Sequence, residues 1–335
     1  APDPTDRLPV IVRSGTDGQS AADMRMNGMN TARGSLAEAL GDLLVSDSDG
    51  QRTALVAPFL KTMASDPVLS VRSCVAHTLA ASLRHARPEV LKAFETLIDA
   101  DDRLLAAGLV QDLMLYIGNV DPQVIDPLIQ RMLTSDDEEA REAGGAMAAF
   151  AALEWERPAL MTQAMTKGAP VRKGVAGVCA SRVDRTSNTE LASATLATLM
   201  YDDDERVRKT AAEVAPHLRE HPLRPFAGLL SALIESPAYD DASPQLLITL
   251  QHAPDRVDDL ILETCRRFIA VFAEDAADIR TGAAGDAHYI SELVVRGLAQ
   301  SRDRRHRAAL LDILDRLLDM GVYGINHAIA ASERT

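Results

Sequence analysis

The stretch DDDERVRKTAAEVA, residues 202–215, has the pattern of a helix start. Its acids come first, where they accept hydrogen bonds from the unpaired N–H groups of a helix start and complement the positive end of its dipole. Arg208 then opens a run of small and apolar residues, with Ala212 four positions on and Ala215 seven on. Those offsets put both alanines on one helical face.

The same frame recurs at five earlier arginines. The runs are RGSLAEAL, RSCVAHTL, RLLAAGLV, REAGGAMA and RKGVAGVC. Arg33, Arg72, Arg103, Arg141, Arg172 and Arg208 stand 39, 31, 38, 31 and 36 residues apart, the length of a two-helix repeat. The position four after each arginine is Ala37, Ala76, Ala107, Gly145, Ala176 or Ala212, always small enough to admit a neighbouring helix closely. Seven after it come Leu40, Leu79, Val110, Ala148, Cys179 and Ala215, which fill the remaining gap. Asp66-Pro67, Asp136-Asp137 and Asp203-Asp204 precede three of these helices as capping signals.

Between these runs lie amphipathic segments: QRTALVAPFLKTMA (51–64), PEVLKAFETLID (88–99), DPQVIDPLIQRML (121–133) and TELASATLATLM (189–200). Pro88 and Pro122 suit a first helical turn, where the missing N–H would be unpaired anyway. The predicted unit is helix, short turn, helix. After Pro222 the register blurs into PLRPFAGLLSALIES, a shorter SPQLLITLQHA, VDDLILETCRRFIAVFAED, AHYISELVVRGLAQS and DRRHRAALLDILDRLLDMG. These read as longer, divergent or capping repeats, which must cover the last exposed core, with GVYGINHAIAASERT closing the stack.

The Asp, Val-Arg, then small-and-apolar pattern resembles the second helix of HEAT repeats, in phase over about residues 31 to 220. The resemblance implies an all-α fold, an α-solenoid of about seven or eight HEAT-like two-helix repeats wound as a right-handed superhelix. Residues 1–30 are expected to be a linker or irregular, 31–221 regular repeats, and 222–335 divergent repeats with a C-terminal cap. MNTARGSLAEALGDLL and RLLDMGVYGINHAI also resemble the C-terminal HEAT regions of large bacterial multidomain proteins with an upstream nucleotide-hydrolysing module, some linked to antiphage defence. That resemblance implies a sensor or regulatory arm.

Composition fits helices: 47% of residues are hydrophobic but only 4% aromatic, favouring close helix packing through alanine and leucine over strands. A net charge of −14 opposes nonspecific attraction to phosphate backbones or anionic membranes. Cys74, Cys179 and Cys265 form no CxxC pair and read as buried thiols of a cytoplasmic protein. No apolar run approaches the roughly 20 residues of a membrane span. A start at Ala1, followed by a Pro- and Gly-containing stretch, suggests a piece of a larger protein.

Candidate chemistry is sparse. His217, Glu220 and His221 match the HxxEH order of inverted zinc peptidases, but Pro222 follows at once and packing of the repeat explains the segment. Asp136 to Glu139 and Asp202 to Glu205 lack the alternating ligands and central glycine of a calcium loop. Some HEAT-like proteins are di-iron hydroxylases using His-Glu pairs, yet this chain contains no His-Glu dipeptide. No metal, cofactor or catalytic residue is assigned, and any enzymatic activity is expected on another domain or chain.

Arg302, Arg304, Arg305 and Arg307 form a basic cluster, which with Arg172, Lys173, Arg206, Arg208 and Lys209 offers a way to grip phosphates. The simpler reading is a solvated helix start paired with Asp303, Asp312 or Asp315. The six repeat arginines are expected to be struts, bonding acids or carbonyls of the next repeat. Trp155 is read as either a binding anchor or a plug between repeats.

The leading functional expectation is a noncatalytic scaffold or sensor arm whose ligand is a protein or an upstream domain of the same polypeptide. The alternative is nucleic-acid binding like that of HEAT-like DNA glycosylases, which cradle a duplex in a basic concave face; net charge and a single tryptophan argue against it. A third class, HEAT-like bilin lyases acting on a cofactor-bearing partner, finds no supporting residues.

Overall fold

The computed structural model of the chain describes residues 20–276, 278, 280–301, 303–321 and 325. Every regular element among them is helical, and no strand occurs among the described residues. The chain divides into two units between Val175 and Ala176.

The first unit opens with α1 (Ala21–Met29), α2 (Ala32–Val45), α3 (Gln51–Val56), α4 (Leu60–Ala64), α5 (Leu69–Ser82) and α6 (Arg87–Ile98). It continues through α7 (Arg103–Ala106), α8 (Gly108–Gly118), α9 (Asp126–Leu133), α10 (Glu138–Glu154) and α11 (Pro158–Met165). The division falls within α12 (Ala169–Arg182). The second unit follows with α13 (Thr189–Leu199), α14 (Glu205–Ala212), α15 (Val214–His217), α16 (Ala227–Glu235), α17 (Tyr239–Gln251), α18 (Asp258–Phe272), α19 (Gly282–Gln300) and α20 (Arg304–Asp319).

Helices of like position pack on one another within each unit. In the first, α2 lies against α5 and α5 against α8, while α4 lies against α6. In the second, α15 meets α17 and α17 meets α19, while α16 meets α18 and α18 meets α20. Periodicity explains the pairing. In α6 the buried residues Val90, Ala93, Phe94, Leu97 and Ile98 recur at helical spacing, so one stripe faces the core. A large side chain buried in this way contributes roughly 1.5–3 kcal/mol.

All six residues four past the arginines are buried. At seven past, Leu79, Val110, Ala148, Cys179 and Ala215 are fully buried, while Leu40 near the start of the chain is only half-buried. Closest approach occurs at Gly145 of α10 and Gly174 of α12. A Cβ on Gly145 would lie 1.9 Å from the Val171 carbonyl oxygen, and one on Gly174 would lie 1.9 Å from that of Glu142.

Several boundaries differ from the sequence reading. The segment 1–30, expected to be irregular, contains α1. The helix expected to run on from Arg103 breaks at Ala107, whose backbone is extended, and restarts at Gly108, a poor residue for a helix interior. The segment 51–64 splits into two short α-helices around a 3-10 turn, and 121–133 into a 3-10 turn and one α-helix, because Pro58 and Pro127 supply no N–H. The segment expected to be a short SPQLLITLQHA helix starts earlier, at Tyr239, and holds Pro244 inside. Of the closing stretch, residues 322–324 and 326–335 lie outside the described residues.

Candidate functional site

Arg72, Arg141, Arg172 and Arg208 each occupy the fourth residue of their helix. A side chain there leans toward the helix start. Each guanidinium thereby reaches back five or six residues to carbonyls just past the end of the preceding helix, which have no intrahelical partner. Arg72 Nε donates to Asp66 O at 2.5 Å, and Arg141 Nη1 to Ser135 O and Asp136 O at 2.7 and 2.9 Å. Arg172 Nη1 donates to Lys167 O at 2.5 Å, and Arg208 Nη1 to Asp202 O and Asp203 O at 2.7 and 3.1 Å. One charge-assisted bond thus closes the same corner four times.

This corrects the expectation that the arginines tie each repeat to the next. Arg33 does so, donating to the Asp66 carboxylate at 2.7 Å, and Arg72 adds long bonds to Thr96 O and Leu97 O. Arg141 and Arg208 spend their bonds on their own corners, and Arg103 pairs locally with the Asp101 carboxylate at 2.6 Å. Ties at the repeat distance come from residues with no common offset. The Thr78 hydroxyl donates to Ala37 O at 2.7 Å, Gln130 and Gln163 exchange amide bonds, and Lys173 pairs with Glu142 at 2.8 Å. In the second unit the Thr249 hydroxyl donates to Ala215 O and that of Ser231 to Glu263.

The acid runs cap helices. Asp137 accepts from Ala140 N and Asp204 from Arg206 N, both at 2.8 Å. Hydrogen bonding from the Arg206 side chain and backbone holds the Asp204 carboxyl down at about 2. Asp66 acts differently: its carboxylate accepts from Val68 N, so it forms a turn ahead of α5. Trp155 fills the groove at Gly118, where a Cβ would meet its ring at 2.1 Å, and its indole N–H donates to Asn119 Oδ1 at 2.9 Å.

His217 ends α15 and Glu220 adopts φ +66°, so His217 and His221 do not share a helical face. His221 instead approaches Asp184 at 3.3 Å, and the described residues contain no group of acids, histidines and cysteines placed to hold a metal. The three thiols are buried, and burial pushes each up to about 12, away from the reactive thiolate.

Arg302 lies outside the described residues; Arg304 and Arg305 are exposed at the start of α20. Arg307 lines a cleft of about 810 Å³ in the second unit, together with Arg256, Arg296 and Ser301. An adjoining recess of about 490 Å³ shares Arg256, Val257, Asp258 and Ser301. Arg296 projects from α19 and donates to Gln251 O and Leu250 O at 2.6 and 2.7 Å, closing the end of α17. Burial lowers its pKa from the ordinary value, while the charge of Asp258 acts the other way. Arg256 pairs with Asp258 at 2.6 Å, and Asp255 accepts from Leu223 N and Arg224 N. Ser301 is 3% exposed and its hydroxyl has no hydrogen-bond partner among the described residues. Sequence reasoning missed Arg296 and Ser301; the one signal was an arginine inside the apolar run ELVVRGLA, residues 292–299.

No family model matches the chain, and no curated protein matches it. Two crystal structures of engineered proteins are similar to it. One is 15% identical over 91% of this chain and 89% of its own, with a TM-score of 0.38. The other is 16% identical over 85% of this chain and 97% of its own, with a TM-score of 0.19. Neither likeness carries an argument about fold or function. No helix among the described residues is long and apolar enough to cross a membrane.

Proposed function

We propose that the chain is a HEAT-type α-solenoid acting as a noncatalytic protein-binding scaffold or regulatory arm. The observation supporting this reading is the recurrent corner, in which Arg72, Arg141, Arg172 and Arg208 make the same bond at four helix starts along the chain. A stack of such units presents long surfaces suited to an extended partner. A protein partner is favoured by Leu55 and Phe59, one turn apart and 76% and 62% exposed, because exposed large apolar groups mark contact surfaces when they cluster.

Nucleic acid is the lesser partner class. Lys173 pairs with Glu142, Arg206 with Asp204 and Lys209 with Glu205, so these three of the candidate phosphate-gripping residues are paired with acids, in a chain of net charge −14. Affinity capture with chemical crosslinking, comparing the wild type with a Leu55→Asp/Phe59→Asp variant, tests the reading. A protein retained by the wild type and lost by the variant is the expected result. Duplex DNA retained at low salt and released as salt rises would overturn it.

A further inference from the structure

We propose that the cleft bounded by the ends of α17 and α19 and the starts of α18 and α20 binds a phosphate group carried by a small molecule. Its charge balance is the first argument. Of the lining acids, Asp258 is taken by Arg256 and Asp255 by two backbone N–H groups. Neither Arg296 nor Arg307 has a carboxylate partner among the described residues. With three arginines against two carboxylates, the lining of the cleft carries a net positive charge in an otherwise acidic protein.

Donor supply is the second argument. A guanidinium carries five N–H donors in a planar fork, and the two carbonyl bonds of Arg296 leave three of them unused among the described residues. Arg296 is partly desolvated, so its attraction for an oxyanion is stronger than that of a surface arginine. The buried Ser301 hydroxyl, on the cleft lining, adds a donor with no partner among the described residues, at a desolvation cost that a ligand oxygen would remove.

Size and lining name the ligand class. About 810 Å³ lies within the range of small-molecule sites. Ala253, Pro254, Val257 and Ile261 supply an apolar wall for the body of a phosphate monoester, while the guanidiniums take its charged end.

Calorimetric titration of the full chain in chloride buffer, with inorganic phosphate, phenyl phosphate and phenol as probes, tests the proposal. Both phosphates are expected to bind saturably with one site, phenyl phosphate more tightly, and phenol not at all. Arg307→Gln, on an exposed part of the rim, is expected to weaken phenyl phosphate at least about tenfold, and Ser301→Ala severalfold. Arg304→Gln, outside the cleft, is expected to leave binding unchanged. Absence of saturable phosphate binding up to about 20 mM, binding that survives Arg307→Gln, or equal loss in Arg304→Gln would each overturn the assignment.

Discussion

Replacing Gly145 with alanine puts a methyl carbon 1.9 Å from the carbonyl oxygen of Val171. A carbon normally approaches such an oxygen no closer than about 3.3 Å, so α10 and α12 must separate locally by roughly 1.4 Å. Neither side can yield by changing rotamer, because the obstructing atom is backbone. Gly174 packs reciprocally against Glu142 O, so sliding one helix along the other meets a second obstruction. Alanine gains about 1 kcal/mol over glycine in helix propensity, while overpacking costs roughly 1–3 kcal/mol and more where the backbone must move. The net expectation is a loss of about 2 kcal/mol. Urea unfolding followed by circular dichroism would show a midpoint lower by roughly 0.5–1 M. Gly285→Ala supplies the contrast: its added Cβ meets nothing within 4 Å in α19, so stability should rise by up to about 1 kcal/mol. A Gly145→Ala midpoint at or above wild type would refute the close-packing argument. The same sign is expected for leucine at Ala76, which is fully buried at the equivalent place.

Three further outcomes follow from the geometry. Asp204 is held at about 2 in the folded chain, below the ordinary value near 3.9, so its contribution is present above the unfolded value and lost as pH falls through 2. The stability difference between wild type and Asp204→Ala should be constant above about pH 5 and close between pH 4 and 2. Asp286 behaves oppositely: burial raises its pKa despite the bond donated by the Ser243 hydroxyl, so folding favours its neutral form. Its contribution is complete below the unfolded value and lost as pH rises through the folded one, so Asp286→Asn should raise the thermal midpoint at pH 7 and leave it unchanged near pH 3. Trp155→Ala should cost about 2 kcal/mol by emptying the groove over Gly118, measurable by urea unfolding; a neutral result would mark the ring as a surface anchor instead.

Much of the helical frame was legible because it rests on local rules. Ala76, Ala176 and Ala212 recur at a fixed offset from an arginine and are buried, and Asp137 and Asp204 cap the helices they precede. The destination of the arginines was not legible. A guanidinium on the fourth helical residue has carbonyls of its own corner and acids of the next repeat within reach, and only the turn geometry decides between them. The break at Ala107 was hidden because its residue types continue the pattern of the other repeats. The cleft was hidden for a different reason: Arg296 meets carbonyls 45 and 46 residues earlier, a separation longer than the repeat spacing read upstream. In that region no offset carries over from one helix pair to the next.

One bond recurs at four corners, and it is tested by urea unfolding of Arg72→Ala, Arg141→Ala, Arg172→Ala, Arg208→Ala and the combined variant. Each half-buried arginine donates to at least one otherwise unpaired carbonyl, so each single variant should lose about 1–2 kcal/mol, and distant corners should add. Four similar, additive losses are the expected result. A loss at one site alone, or at none, would contradict the repeat.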